Sequence, residues 1–227
     1  MSTGFFYKKI TALLAGALGL IVTLTTLGYA FYLSNAQMGG YCGKVYFLVS
    51  EDANVQAGAH FAQWEGGAGY LFTYNGTDYV AISAYFEESD GVSVQASLLA
   101  DGKETRLLAL GGNRLYFKTC EQKKNANVYV GALQAFYGCL QVFGRGVALL
   151  EQSTQERAKE YYASLERQFL YLGKKYEAGY PDFAKICKEG AHALHEMSSQ
   201  TLYVKDLRYL LCELSEKYAS LAANFSL

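Results

Sequence analysis

His192, His195 and Glu196 are the residues of this chain whose types and spacing come closest to a chemical site. Imidazole and carboxylate groups bind metal ions and transfer protons. A helical metalloprotease site, however, has two histidines four residues apart and a glutamate directly after the first, and this segment has neither feature. Two histidines three residues apart need a third ligand, so the pattern does not predict a metal site.

Candidate nucleophiles are equally isolated in the sequence. Cys187 lies near His192, but no third group is placed to orient such a pair, and no serine occupies a Gly-x-Ser-x-Gly elbow. The five cysteines are scattered without a Cys-x-x-Cys pair, a pattern typical of buried free thiols. Glu87 and Glu88 fall where a helix is predicted to begin, and the helix dipole favours negative charge there. We therefore expect a non-catalytic protein with no metal and no cofactor.

Charge and length restrict the class of protein further. The 227 residues are enough for one or two domains with a sizeable core. Lysine and arginine number 20 against 21 acidic residues, so no basic surplus indicates a nucleic acid partner. Tyrosine is unusually abundant, with 20 copies. Its apolar ring and polar hydroxyl suit half-exposed surfaces and interfaces.

Residues 10–33 form an uncharged, apolar run of 24 residues. About 20 apolar residues suffice for a helix that crosses a bilayer. Lys8 and Lys9 precede the run, and no basic residue follows it until Lys44. This asymmetry favours a cytoplasmic N-terminus. It predicts three segments: a cytoplasmic N-terminus at 1–9, a transmembrane helix in the lipid bilayer at 10–33, and a short linker at 34–43.

The alternative to this anchor is a cleaved signal peptide, since residues 34–36 are small enough for signal peptidase. The apolar region of a signal peptide is usually shorter than this one, at about 7–15 residues. The sequence therefore favours a single-pass protein of the cell membrane, with the bulk of the chain extracytoplasmic.

Residues 45–108 repeat a β-α-β pattern with a period of about 35 residues. The predicted elements are, in order, strand 45–49, helix 52–65, strand 69–72, strand 80–84, helix 87–100 and strand 105–108. Asn75-Gly76 joins the two copies and is the strongest signal for a type I′ hairpin. That turn predicts Phe72 opposite Tyr79, Tyr70 opposite Ala81 and Tyr74 opposite Thr77.

The two predicted helices must cover one face of this sheet. We expect them to pack on the aliphatic set Val45, Phe47, Val49, Val80, Ile82 and Ala84. Their own packing positions are predicted at Phe61, Ala62, Trp64, Val92, Val94, Leu98 and Leu99. The other face is aromatic, with Tyr70, Phe72, Tyr74 and Tyr79. It is either an exposed binding surface or the surface on which the C-terminal helices pack, and the sequence leaves both open.

Gly67-Ala68-Gly69-Tyr70, the hairpin, and the stretch 79–86 followed by acidic residues and a helix resemble a SPOR (sporulation-related repeat) domain. The resemblance covers about residues 44–112. It implies a four-stranded antiparallel sheet with helices on one face. It also implies binding to peptidoglycan glycan strands in bacterial division or sporulation, with sugar rings stacking on Tyr46, Tyr70, Phe72 and Tyr79. Because polar residues that bond sugar in such domains are largely missing, the alternative is a protein–protein interaction module whose sheet no longer binds glycan.

Apolar residues recur at spacings of three and four from residue 127 onward. They predict helices at 127–150, 155–177, 182–197 and 205–224. The run 127–150 has one charge, but Gln134 and Gln141 favour a buried soluble helix over a second membrane segment. The predicted α+β fold class is thus a transmembrane helix, the four-stranded sheet, and an antiparallel helical bundle in 113–227 that has surfaces for a protein partner.

Overall fold

The computed structural model describes residues 37–50, 55–64, 66–150 and 154–225. The predicted transmembrane segment 10–33 lies outside these residues. Within them, no helix combines the length and the apolar character that crossing a membrane requires. This finding corrects both the fold class with a transmembrane helix and the single-pass location in the cell membrane. The described chain is an α+β fold with seven helices and two antiparallel sheets.

The described residues contain six strands and seven helices. The strands are β1 Gln37–Tyr41, β2 Lys44–Ser50, β3 Tyr70–Tyr74, β4 Thr77–Tyr85, β5 Thr105–Gly111 and β6 Arg114–Phe117. The helices are α1 Val55–Trp64, α2 Glu88–Ala100, α3 Cys120–Lys124, α4 Ala126–Leu150, α5 Gln155–Tyr176, α6 Pro181–Ser198 and α7 Val204–Ala223.

The larger sheet has the strand order β3-β4-β2-β5, and every neighbouring pair in it is antiparallel. This order is the split β-α-β arrangement that two successive β-α-β units form. A second sheet pairs β1 with β6. It was not predicted, because the sequence of β1, Gln-Met-Gly-Gly-Tyr, lacks the alternation of apolar and polar residues that indicates a strand.

The hairpin between β3 and β4 has the predicted register. Asn75 has a φ of 52° and Gly76 a φ of 76°, as a type I′ turn requires. Phe72 lies opposite Tyr79, and Tyr70 lies opposite Ala81. The hairpin prediction is confirmed.

A β-bulge at Ile82 changes which residues share a face of the large sheet. Leu48 pairs with Ser83 and the next residue, Val49, pairs with Ala81, so β4 has one extra residue at position 82. Because the side chains of paired residues point to the same face, Val49 shares a face with Ala81. Ala81 lies opposite Tyr70 on β3, so this face is the aromatic one.

The predicted aliphatic face is therefore wrong. Val45, Phe47 and Val49 lie on the aromatic face, and the Phe47 ring packs 5.0 Å from the Phe72 ring. Leu71 and Val80 lie opposite each other on the other face of the sheet. The bulge separates the two groups, since one extra residue reverses the alternation beyond it.

Helix α7 is the central layer of the molecule. It contacts all four strands of the large sheet on one side and helices α4 and α6 on the other. Ten of its 20 residues are buried, namely Leu207, Leu210, Leu211, Cys212, Leu214, Ser215, Tyr218, Ala219, Leu221 and Ala222. One hydrophobic cluster consequently extends from Val45 in the sheet through the bundle to Phe225.

Helix α4 is a buried helix of the bundle. Leu133, Phe136, Leu140 and Phe143 are all fully buried along it. The Phe136 ring contacts the rings of Phe169, Phe183 and Tyr218 from α5, α6 and α7. The prediction of a buried helix at 127–150 is therefore confirmed.

Candidate functional site

The four predicted glycan-binding residues do not form one surface. Tyr70, Phe72 and Tyr79 share the aromatic face, where the Phe72 ring lies 6.2 Å from that of Tyr70 and 5.7 Å from that of Tyr79. Tyr46 is paired with Tyr85 on the opposite face. Its hydroxyl donates a hydrogen bond of 3.4 Å to the Glu88 carboxylate at the start of α2.

Helix α7 covers the aromatic face at Tyr70 and Phe72. The Tyr209 ring meets the Tyr70 ring edge-on, with 5.2 Å between the centroids. Phe72 is only 7 % exposed. The sequence left open whether this face is an exposed binding surface or packs on the C-terminal helices. In the structure it packs on α7. Phe72 is thus a core residue, and Tyr70 and Tyr79 are partly buried against the core.

The pKa of Tyr70 is also affected by its burial under α7. Burial raises the pKa of the Tyr70 hydroxyl, and the carboxylates of Glu216 and Glu213 on α7 raise this pKa further. Tyr70 is therefore neutral at ordinary pH. Tyr79 is half-buried, and the Arg106 guanidinium carbon lies 5.5 Å from the centre of its ring. The Arg106 guanidinium therefore already makes a cation–π contact with the Tyr79 ring.

A cavity is open on the aromatic side, at the hairpin end of the sheet. It has a volume of about 250 Å³ and lies between the β3–β4 turn and the end of α7. Phe72 and Tyr74 supply aromatic walls, while Asn75, Asn113 and Glu216 supply polar groups. Burial raises the pKa of Glu216, and this half-buried carboxylate is the charged residue of the lining.

Helix α2 presents apolar side chains to solvent, which the sequence did not predict. Val92, Val94 and Leu99 were expected to pack on the sheet, but 49 %, 37 % and 62 % of their surfaces are exposed. Gly91 is instead the buried residue of the helix. A Cβ at Gly91 would lie 2.7 Å from Leu107 Cδ2, so the close approach to β5 fixes which side of α2 faces inward.

Gln95 also faces the sheet and donates a hydrogen bond of 2.6 Å to the Thr105 carbonyl oxygen. Val92, Ala96 and Leu99 are all exposed, and their spacing of i, i+4 and i+7 places them on one side of the helix. We call these three residues the α2 patch.

His192 and His195 lie on the exposed surface of α6 and form pairs with carboxylates. His192 Nε2 is 3.4 Å from Glu196 Oε1, and His195 Nδ1 is 3.3 Å from Glu166 Oε1 on α5. In the described parts of the chain, no three His, Cys, Asp or Glu residues come together as a metal site would require. Burial raises the pKa of Cys187, so its sulfur is a thiol rather than a nucleophilic thiolate.

No protein-family model, no curated protein and no solved structure matches this chain. The resemblance to SPOR domains therefore stays a prediction that rests on the residues between 67 and 86.

Proposed function

We propose that the protein is a non-catalytic protein–protein interaction module whose SPOR-like sheet no longer binds glycan. The observation that carries this proposal is the position of α7 on the aromatic face of the sheet. A glycan strand lying along that face would have to displace a helix with ten buried residues.

The energetic argument follows from the contacts of α7. Leu207, Leu211 and Tyr218 are each at most 1 % exposed. Full burial of one large apolar side chain contributes about 1.5–3 kcal/mol. Removing the helix would expose several such side chains together, whereas sugar stacking on two or three rings gives back only part of that apolar contact.

The α2 patch supports a protein partner. Leu99 is 62 % exposed and Val92 49 %, and neither packs in the core cluster. Apolar side chains at i, i+4 and i+7 on one side of a helix are a common arrangement for docking another protein. The flanking residues of α2 include Glu88 and Asp90, which supply a polar rim.

Photocrosslinking in the native host tests the proposal. A photoreactive residue would replace Leu99 in one version of the full chain and Tyr171 in another. Tyr171 is a matched control, since it is 61 % exposed on α5. We expect one discrete protein adduct at Leu99 and none of the same mass at Tyr171. The absence of an adduct at Leu99, or the same adducts at both positions, contradicts the proposal.

Glycan binding is the second candidate function, favoured by the 250 Å³ cavity beside Phe72 and Tyr74. Aromatic walls together with amides and a carboxylate suit a polar ligand that has apolar faces. Co-sedimentation with glycan strands stripped of peptides separates the two candidates. Retention that Asn113→Ala or Glu216→Gln abolishes supports the cavity as a glycan site. No retention supports the interaction module.

A further inference from the structure

The cavity of about 250 Å³ beside the β3–β4 turn carries charge of one sign. Glu216 on α7 supplies it, and none of the described residues that line the cavity is a lysine, an arginine or a histidine. The rest of the polar lining is neutral and includes Thr73, Asn75, Asn113 and Ser220. A ligand in this cavity therefore meets a negative charge with no positive charge beside it in the lining, which favours a cation and disfavours an anion.

The Glu216 carboxylate has no counterion within the described part of the chain. None of the ion pairs between described residues includes it. The neighbouring Lys217 ammonium donates a hydrogen bond of 2.8 Å to Glu213 and one of 3.4 Å to Glu189. Burial raises the pKa of Glu216, and the charge of Lys217 offsets this rise only in part. A half-buried carboxylate without a counterion is unfavourable, and a bound cation would supply what is missing.

Two aromatic side chains of β3, Phe72 and Tyr74, line the same cavity. The face of an aromatic ring attracts a cation, and the attraction is stronger where water is excluded. The nearby Tyr79 ring already contacts the Arg106 guanidinium. Among the described residues, by contrast, none of the cation–π contacts involves Phe72 or Tyr74. A cation in the cavity would complete both the rings and the carboxylate.

We propose that this cavity binds a small organic ammonium ion, whose positive charge contacts the Glu216 carboxylate and the rings of Phe72 and Tyr74. Aromatic faces are the groups with which proteins recognise quaternary ammonium ligands. The cavity is smaller than the range of about 300–1,000 Å³ that is usual for drug-sized ligands, so the ligand is small. This assignment does not depend on the α2 patch. It differs from glycan binding in the same cavity because it requires a positive charge on the ligand.

Nuclear magnetic resonance titration of the full chain with choline tests the proposal. The matched probe is the neutral carbon analogue of choline, in which a tert-butyl group replaces the trimethylammonium group without a change of shape. We expect choline to bind at least about tenfold more tightly than this analogue, because the analogue lacks the charge that the carboxylate and the rings attract. The absence of choline-dependent shifts at the residues that line the cavity, or equal affinities for the two probes, overturns the proposal.

N-acetylglucosamine separates the proposal from glycan binding at the same cavity. This sugar is neutral, so we expect it to bind more weakly than choline. If it binds more tightly than choline and shifts the same resonances, the cavity selects a sugar ring rather than a positive charge, and the proposal is wrong.

Two substitutions test the groups that hold the charge. Glu216→Gln removes the negative charge with little change of shape, and it should reduce the preference for choline over the neutral analogue about fivefold. Tyr74→Leu removes one aromatic face and should reduce the same preference about threefold. Glu121→Gln on α3 and Tyr171→Leu on α5 are matched controls, because both residues are exposed and neither lines the cavity.

The preference is a ratio of two affinities measured on the same variant, so a small change in stability does not alter it. Thermal unfolding of each variant verifies that it is folded. A preference that is unchanged in both Glu216→Gln and Tyr74→Leu contradicts the assignment. An equal loss of preference in the two control variants contradicts it as well, since the selectivity would then not arise in the cavity.

Discussion

Helices α2 and α7 lie on opposite faces of the same four-stranded sheet, and they contact it in opposite ways. Helix α7 buries ten of its 20 residues between the sheet and the bundle. Helix α2 buries only Gly91 among its 13 residues and leaves Val92 and Leu99 in solvent. The comparison indicates that α7 is part of the core, whereas α2 exposes apolar side chains that do not pack on the sheet.

The largest expected effect is on the α7 side, from truncation of Phe72. Phe72→Ala should lower the free energy of unfolding by about 3–5 kcal/mol, because it removes a buried ring and leaves a cavity. Phe72 contacts Phe47, Tyr70 and Tyr79. Urea denaturation of the full chain measures the change. A loss below about 1 kcal/mol would indicate an open aromatic face.

A matched pair of leucines compares the two helices directly. Leu211 on α7 is 1 % exposed, and Leu99 on α2 is 62 % exposed. Leu211→Ala should cost about 2–5 kcal/mol, whereas Leu99→Ala should change stability by no more than about 0.5 kcal/mol. Equal effects in urea denaturation would mean that α2 and α7 do not differ as described.

A pair of glycines tests how α2 approaches the sheet. A methyl group at Gly91 would meet Leu107 Cδ2, whereas a Cβ at Gly138 on α4 has no neighbour within 4 Å. Gly91→Ala should be destabilising by about 1 kcal/mol, as overpacking outweighs the gain in helix propensity. Gly138→Ala should be stabilising by up to about 1 kcal/mol, because alanine has a higher helix propensity than glycine. Stabilisation of similar size in both variants would refute the close approach of α2.

The smallest expected effect concerns Glu216, which lies on α7 beside the 250 Å³ cavity. Burial raises its pKa in the folded state, so the protonated form is favoured there. The corresponding stability is present at low pH and is lost as pH rises through the folded pKa. Glu216→Gln should therefore be more stable than the parent at pH 7, by less than about 0.5 kcal/mol after screening by solvent.

The stability difference between the Glu216→Gln variant and the parent should disappear below pH 4. Glu121→Gln is the control, since Glu121 is exposed on α3. A parent protein that gains stability relative to Glu216→Gln as pH rises would contradict the direction of the pKa shift.

Features that depend on neighbouring residues could be predicted from the sequence. Asn75-Gly76 specified both the turn and the register of the hairpin, since this pair strongly favours the type I′ geometry, in which both central residues have positive φ. Pro181 was expected near a helix start and is the first residue of α6. The boundaries of α4 and α7 lie within one residue of the periodicity in the sequence.

Features that depend on distant contacts could not be predicted in the same way. The bulge at Ile82 arises from pairing with β2, more than 30 residues away, and it moved Val45, Phe47 and Val49 to the aromatic face. Tyr46 consequently lies on the face opposite to Tyr70, Phe72 and Tyr79. The orientation of α2 is determined by the contact of Gly91 with Leu107 rather than by its own apolar residues.

The sequence of α7 contains one indication that this helix covers the aromatic face. Besides its leucine stripe, α7 contains Cys212, Ala219 and Ala222 on further sides of the helix. A helix that is apolar on more than one side is buried between two layers. This pattern predicts a layer on each side of α7, and the aromatic face of the sheet is one of them.

The contact between Tyr70 and Tyr209 tests the central claim, that α7 covers the aromatic face, most directly. Their ring centroids lie 5.2 Å apart in an edge-on arrangement. Nuclear Overhauser spectroscopy on the full chain with labelled tyrosine rings should give cross-peaks between these two rings, and they should persist when glycan strands are added. Absence of the cross-peaks in the free protein, or their loss on addition of glycan, would contradict the account.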